Sequence, residues 1–487
     1  MPSVKDLLSN LELGKSVAEF DDDLEKYFVE TNTFKELVKD KFDIVAGDKG
    51  TGKTAIFKII QKRHQDYREL DGVNIVPAFN PTGSPVFSSL TEKEALEEGE
   101  YILLWKSYIL AVIGNWLIRN CSRPQQKHLD ELKQLLEALD LLTTDVSPKG
   151  VLQKILESLP NFFIWKSAEV EISATSEGIP TITPRVNFGQ PQDKFEEVRI
   201  SVEDAFSILD NTLGKIGAKV WLAFDRLDEA FQGYPDIEIK ALRALLRSYL
   251  DTHEFRNFKL KLFLRRDLFR RITLGGFVNL THVNDKKLEI IWDEEDLLHL
   301  LCRRIRENPG FLKSIEAEGK TDEELFDVMF PDQVDVGERK PKTWTWIMGR
   351  IRDGNDVKPP RNLIDLVKNA QLAQLRKEER EKREFDGSPL IESEAIRRGL
   401  SQLSETRVND TLLAEAGIFS PLIERFRDSK SEHNNNSLAE LLEIDKEAVR
   451  REVKPLVELG FLEEVGSTYK IPMLYRDGLD VTQGKAF

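Results

Sequence analysis

Eight consecutive residues constrain this chain more than any other stretch. Gly47-Asp48-Lys49-Gly50-Thr51-Gly52-Lys53-Thr54 satisfies G-x-x-x-x-G-K-[ST] in full. Each residue type has a mechanical reason. Glycines let the backbone wrap closely around phosphate oxygens with its N–H groups turned inward. A helix starting where the loop ends adds its positive N-terminal dipole. Lys53 brings a compact charge to the β- and γ-phosphates, and the Thr54 hydroxyl can ligate Mg²⁺. The flanks meet the requirement: the apolar stretch FDIVAG ends at Gly47, and the amphipathic stretch TAIFKIIQKRH follows. A nucleotide with Mg²⁺ is therefore expected on residues 47–54.

The rest of the chain extends this frame. VNIVPAF (Val73–Phe79), KVWLAFD, KLKLFL and KKLEIIW read as further strands, with a helix from about Ile237 to Leu250 between the second and third. Strands alternating with helices define an α/β fold with a mostly parallel sheet. Residues 101–200 interrupt the alternation with helices and a hairpin pattern, AEVEISA and TITPRVNF. The expected order is a helical lead-in (1–40), a P-loop core (41–292) with an insertion at about 101–200, a helical lid (293–386) and a winged helix (387–487). A chain of 487 residues accommodates this, at roughly 100–200 residues per domain. The charged run Arg376–Pro389 reads as a solvated helix end and linker to the last module.

Composition narrows the function classes. The net charge, 70 − 85 = −15, disfavours a protein that coats nucleic acid with its whole surface. Cys121 and Cys302 are the only cysteines, too few for a disulfide framework or a four-cysteine zinc site, and they suit a reducing, cytoplasmic compartment. The six histidines show no metal-ligand spacing. The start of the chain lacks the apolar core of a secretory signal. The one apolar run of membrane length, Tyr101–Arg119, is broken by Lys106, Ser107 and Asn115, and reads as a buried helix rather than a span.

Val220-Trp221-Leu222-Ala223-Phe224-Asp225 is an apolar strand ending in a carboxylate, followed by Arg226-Leu227-Asp228-Glu229. A P-loop site needs an acid at a neighbouring strand end to hold Mg²⁺ through water, and Asp225 fits. Hydrolysis needs a group that positions water; Glu229, with Asp228 beside it, fits that role. The alternative is that Asp228 and Glu229 cap the next helix.

These residues resemble a known class. The string D-x-h-D-E after an apolar strand is similar to the Walker B element of STAND-type ATPases, including the NACHT group, within the wider AAA+ class. Arg226 departs from that pattern, which usually has a small residue there. The resemblance implies a sensor arginine at the end of the strand Lys259–Leu264: Arg265, with Arg266 as alternate. The competing reading is a basic surface formed with Lys259, Lys261, Arg270 and Arg271. Lys358-Pro359-Pro360-Arg361 resembles the base of the lid in such proteins, where an arginine senses phosphate; the plain alternative is a proline-initiated helix start. Trp344 and Trp346 in KTWTWIMGRI are expected to pack the lid core. With AEFDDDLEKYF, LKLFLRRDLF, LEIIWDEEDLLHLLCRRI and YKIPMLYRDGL, most of the chain outside 101–200 resembles a bacterial group of STAND-like P-loop ATPases, some encoded beside defence genes. The class implies an ATP- and Mg²⁺-dependent switch that assembles with copies of itself or engages a protein effector.

At the C-terminus, SLAELLEI, DKEAVRREVKPLVELGFL and EEVGSTYKIPMLY read helix, helix, β-ribbon, the winged-helix pattern. Its second helix offers Lys446, Arg450, Arg451 and Lys454 but also Asp445, Glu447, Glu452 and Glu458. A recognition helix needs a net positive face. A partner-binding role is therefore expected over DNA, with a DNA-associated ATPase as the alternative. A small-molecule kinase fits the helical C-terminal half least.

Overall fold

The computed structural model describes residues 2–79, 96–156, 172–174, 180–182, 186–188, 198–227, 229, 231, 235–274 and 276–487. They form two compact units. A sheet unit comprises Asn32–Gly47 and Ile56–Ile290; a helical unit comprises Met1–Thr31, Asp48–Ala55 and Ile291–Phe487.

The sheet unit contains β1 (Ile44–Gly47), β2 (Val73–Phe79), β7 (Lys219–Phe224), β8 (Phe258–Arg265) and β9 (Lys287–Glu289), in the order β2-β7-β8-β1-β9. Every pairing in it is parallel. Strands buried on both faces read as continuous apolar runs, and β7 is one: Val220 to Phe224 are all at most 4% exposed. On one face Val220, Leu222, Phe224, Leu260, Leu262 and Leu264 join the core formed with the helices Glu98–Asn120, Val202–Ile216 and Pro235–Asp251. On the other, Phe57 of the helix Lys53–Arg63 meets Phe263 edge to face at 5.8 Å.

The apolar run at 101–119 lies in the helix Glu98–Asn120, which has the length and hydropathy of a membrane span but is mostly buried in this unit. A capping box of Glu97 and Glu100 starts it. Trp105 donates its indole N–H to the Ala241 carbonyl at 2.7 Å, and buried Lys106 pairs with Asp251 at 2.7 Å. Further along, β3 (Ile172–Ala174) pairs with β4 (Pro180–Ile182), and β5 (Val186–Phe188) with β6 (Val198–Ile200), both antiparallel. The first pair joins the two stretches read as a hairpin; the rest of 157–197 lies outside the described residues.

In the helical unit the N-terminal lead-in is part of the core. Val4, Leu7, Leu8, Leu11 and Leu13 pack in one cluster with Leu297, Leu301, Leu363 and Leu366. Arg304, 4% exposed, donates to the carbonyl of Leu13 at 2.6 Å, reaches Asp21 at 3.4 Å and lies 4.1 Å over the Tyr27 ring. Gly14 closes this knot. Its φ is +68°, and a Cβ there would fall 2.2 Å from the Tyr27 hydroxyl. The run 376–389 is largely exposed and contains the end of the helix Pro360–Glu378, as its solvated reading expects, but it is anchored at two points. Glu378 is 1% exposed and accepts from Arg383 Nε at 2.7 Å, while Glu384 bridges to Ser3. A buried carboxylate needs such a partner, so the helix end is pinned to the chain that follows it. Trp346 is buried with its N–H on Asp335 at 2.8 Å, and Trp344 packs on the same core, as expected for both.

The C-terminal module is a winged helix. β10 (Lys430–Asn434) leads into the helices Asn435–Leu442 and Val449–Glu458, and β11 (Glu463–Val465) and β12 (Thr468–Lys470) form the antiparallel wing. β13 (Thr482–Lys485) completes a sheet of order β11-β12-β10-β13. Asn434 caps the first helix, its side-chain oxygen accepting from the N–H groups of Asn436 and Ser437 at 2.9 Å. The turn after the second helix is tied to the segment ahead of the helix Pro360–Glu378: Gly354 N–H donates to the Gly460 carbonyl at 2.7 Å, and Arg352 pairs with Glu463 at 3.3 Å.

Candidate nucleotide site

The phosphate loop is shaped by its glycines. Gly50 has φ +79° and Gly52 φ +102°, conformations that side chains disfavour. Between them Thr51 is 2% exposed, with its N–H and hydroxyl directed at the Asp48 carbonyl at 3.3 and 2.8 Å. The Lys53 ammonium donates to the same carbonyl at 3.0 Å. Lys53 opens the helix Lys53–Arg63, so Lys53 and Thr54 stand in its first turn, where backbone N–H groups lack intrahelical partners. Asp48 and Lys49 occupy the loop's entry.

Within the helical unit the loop lies against the start of the helix Pro360–Glu378. A Cβ on Gly50 would come 3.1 Å from Arg361 Cβ and 3.5 Å from Pro359 Cβ. Arg361 thus stands beside the loop, in the first turn of a helix that opens at Pro360, as the plain helix-start reading also has it. Arg361 Nε is buried and has no hydrogen-bond partner among the described residues. That is the state of a donor that an anion would satisfy. Trp292 also reaches the loop: its indole N–H donates to the Thr51 carbonyl at 2.8 Å. Nothing in the motif signals Trp292.

Within the sheet unit the parallel strands bring their C-terminal ends to one edge, where open α/β sheets bind ligands. Gly47 at the end of β1 pairs in register with Arg265 at the end of β8. Asp225 follows Phe224 at the end of β7, the strand on the far side of β8, and is 2% exposed. Arg226 adopts φ +57°, which turns the chain sharply after the strand. The Glu229 N–H closes this turn on the Arg226 carbonyl at 3.1 Å, and its half-exposed carboxylate lies 3.6 Å from Arg226 Nε. The next helix begins at Pro235, so Glu229 does not cap it. Asp228 lies outside the described residues.

Arg265 is held in a two-point ion pair with Asp267, both contacts at 3.0 Å. Burial raises the Asp267 carboxyl, but the Arg265 guanidinium outweighs it and holds the group below the usual carboxylate range. Asp267 thus orients the expected sensor, a role visible in the sequence only as an acid two residues beyond it. Arg266 instead faces Glu289 at 3.4 Å. The basic-surface alternative fails for Lys261, which is 1% exposed and bound to Asp40 and Asp43 at 2.7 and 2.6 Å.

No protein-family model matches this chain, and no curated protein does. Among solved structures it is similar to the Aeropyrum pernix ORC1 protein in complex with DNA, at 13% identity over 96% of each chain with a TM-score of 0.36. It is similar also to the Aeropyrum pernix ORC2 protein, in ADPNP–ADP complexes, at 13% identity over 93% of each chain with a TM-score of 0.36. Likeness at this level carries no function across.

Proposed function

We propose that this protein is an ATP-binding and hydrolysing, Mg²⁺-dependent P-loop ATPase that works as a nucleotide-dependent switch or assembly platform. One observation carries the reading: a complete phosphate loop, with Gly50 and Gly52 both in the left-handed region, runs from a central parallel strand into the helix that Lys53 opens. Bound ATP–Mg²⁺ supplies the γ-phosphoryl group, and the chain's work is positioning and charge stabilisation. In this reading the N–H groups of residues 47–54 and the Lys53 ammonium hold the phosphates. The Thr54 hydroxyl and, through water, Asp225 hold the metal. Glu229 orients the attacking water or takes its proton. Arg265 and Arg361 stabilise charge on the transferring group.

The switch reading draws support from Arg361. It sits against the loop at one end of a helix, and the segment before that helix bonds directly to the winged helix. Nucleotide state would so be passed to a surface that contacts a protein effector or another copy of the chain. Lys53→Ala tests the premise. It should abolish ATP–Mg²⁺ binding in calorimetry while the circular dichroism spectrum stays that of the wild type; unchanged affinity would overturn the assignment.

A second reading, an ATPase acting on duplex DNA, draws on Arg450, Arg451 and Lys454, all exposed on the helix Val449–Glu458. Arg451 and Lys454 are each within 4 Å of a glutamate, Glu452 and Glu458, and Glu464 is exposed on the wing. Those acids oppose phosphate contact. On the switch reading, reversing the charge of Arg450 and Arg451 leaves gel-shift behaviour unchanged. A salt-dependent shift abolished by that change would favour DNA.

A further inference from the structure

We propose that Trp292 is a positioning residue for phosphate binding, fixing the orientation of the Thr51–Gly52 peptide in the loop. The inference rests on the nucleotide-binding reading above and assigns a residue outside the motif to the same site.

The geometry begins with the 2.8 Å hydrogen bond from the Trp292 indole N–H to the Thr51 carbonyl. The Thr51 carbonyl and the Gly52 N–H belong to one peptide plane. In a trans peptide they project to opposite sides, and no cis bond occurs among the described residues. Holding the oxygen at the indole therefore turns the Gly52 N–H away from it. Gly52, at φ +102°, is the permissive side of that plane. A peptide flanked by glycine rotates at little steric cost. A rotated plane would direct a carbonyl dipole where the N–H had been, which opposes an anion instead of binding it.

Trp292 is itself well braced for this task. It is partly buried and packs against Val29, Leu300 and Ile364. Leu300 lies on the helix Glu294–Arg306, which begins right after Trp292 with Asp293 as its cap, the Asp293 carboxylate accepting from Asp296 N–H at 2.7 Å. Ile364 lies one turn after Arg361 on the helix Pro360–Glu378. The ring edge stands 4.0 Å from where a Gly52 Cβ would be, so the indole also bounds the loop sterically. The other polar groups of Thr51 are already directed at Asp48, leaving its carbonyl as the group that Trp292 controls.

The test is steady-state ATP hydrolysis and ATP–Mg²⁺ calorimetry on the full chain, comparing wild type with Trp292→Phe and Trp292→Tyr. Both keep a ring and remove the indole donor. A lost orienting hydrogen bond weakens ground state and transition state alike, so KM and Kd should rise about three- to tenfold with kcat nearly unchanged. A merely structural role predicts the reverse pattern, a lower kcat from a smaller folded fraction with KM unmoved. KM does not depend on the folded fraction, so the comparison holds even with reduced yield. If wild type binds ATP–Mg²⁺ and both variants bind it equally well, Trp292 has no positioning role. If wild type does not bind ATP–Mg²⁺, the nucleotide reading itself falls.

Discussion

Glu229→Gln should bind ATP–Mg²⁺ with near wild-type affinity and hydrolyse it on the order of 10²–10⁴-fold more slowly, the usual contribution of a base or water-positioning group. The amide keeps the shape of the carboxylate and removes its basicity. In the proposed reading that role falls to Glu229, which lies on the turn that follows β7: buried Asp225 ends the strand, and the Glu229 N–H closes back on the Arg226 carbonyl. Since the next helix starts only at Pro235, a purely structural Glu229 would show a wild-type rate. The variant should also accumulate the ATP-bound conformer and any assembly that conformer favours. Asp225→Asn should behave differently, raising the Mg²⁺ concentration needed for turnover, because it weakens the metal site. Phosphate release, titrated with Mg²⁺, separates the two. A wild-type rate for Glu229→Gln together with a slow Asp228→Asn would reassign the role to Asp228. Wild-type rates for both would end the hydrolytic mechanism proposed here.

What the sequence made legible was local. The strand β7 is an apolar run of strand length, and a run of that kind has few alternatives to a buried parallel strand, while β8 shows itself by alternating Lys and Leu before Phe263 and Leu264. The phosphate loop is a contiguous motif, so its glycines announce their backbone conformation directly. Arg226, at φ +57°, takes a left-handed conformation that its residue type does not announce. What stayed illegible depends on distant partners. Trp292 reads as one more apolar residue until its N–H meets a carbonyl 241 residues away. The lead-in reads as a separate acidic helix because nothing local shows that Arg304 will gather Leu13, Asp21 and Tyr27 into one knot. Lys259 and Lys261, two apart on a strand, look alike in the basic-surface alternative, yet the Lys259 side chain is 39% exposed and that of Lys261 only 1%.

Lys261 yields the largest stability effect expected in the sheet unit. Its ammonium, 1% exposed, donates to Asp40, to Asp43 and to the Phe42 carbonyl, at 2.7, 2.6 and 2.8 Å, and sits 4.1 Å over the Trp221 ring. Asp43 is buried too and also accepts from the Tyr249 hydroxyl at 3.0 Å. Lys261→Ala removes the cation and leaves its carboxylates behind. Breaking a buried pair in this way costs about 3–5 kcal/mol, a large part of the ~5–15 kcal/mol that holds a typical domain together. Most of the loss should come through Asp43, because Asp40 is a third exposed and keeps Lys259 as a partner. Denaturant unfolding at neutral pH, followed by a probe in the sheet unit, measures the effect. The pH dependence has a definite sign. Burial raises the Asp40 carboxyl, but Lys261 and Lys259 more than offset it, so its folded-state pKa lies below the ordinary value of about 3.9. The stabilisation from this group is thus present above about pH 4 and lost as pH falls through the depressed value. The gap between wild type and Lys261→Ala should narrow over the same acid range, since protonation neutralises the Asp40 carboxylate that the variant deprives of one cation. Adding Asp43→Asn to Lys261→Met should recover part of the loss, because the two sites share one contact. Strictly additive losses would show that Lys261 and Asp43 are not energetically coupled, and wild-type stability for Lys261→Ala would show that the pair contributes nothing.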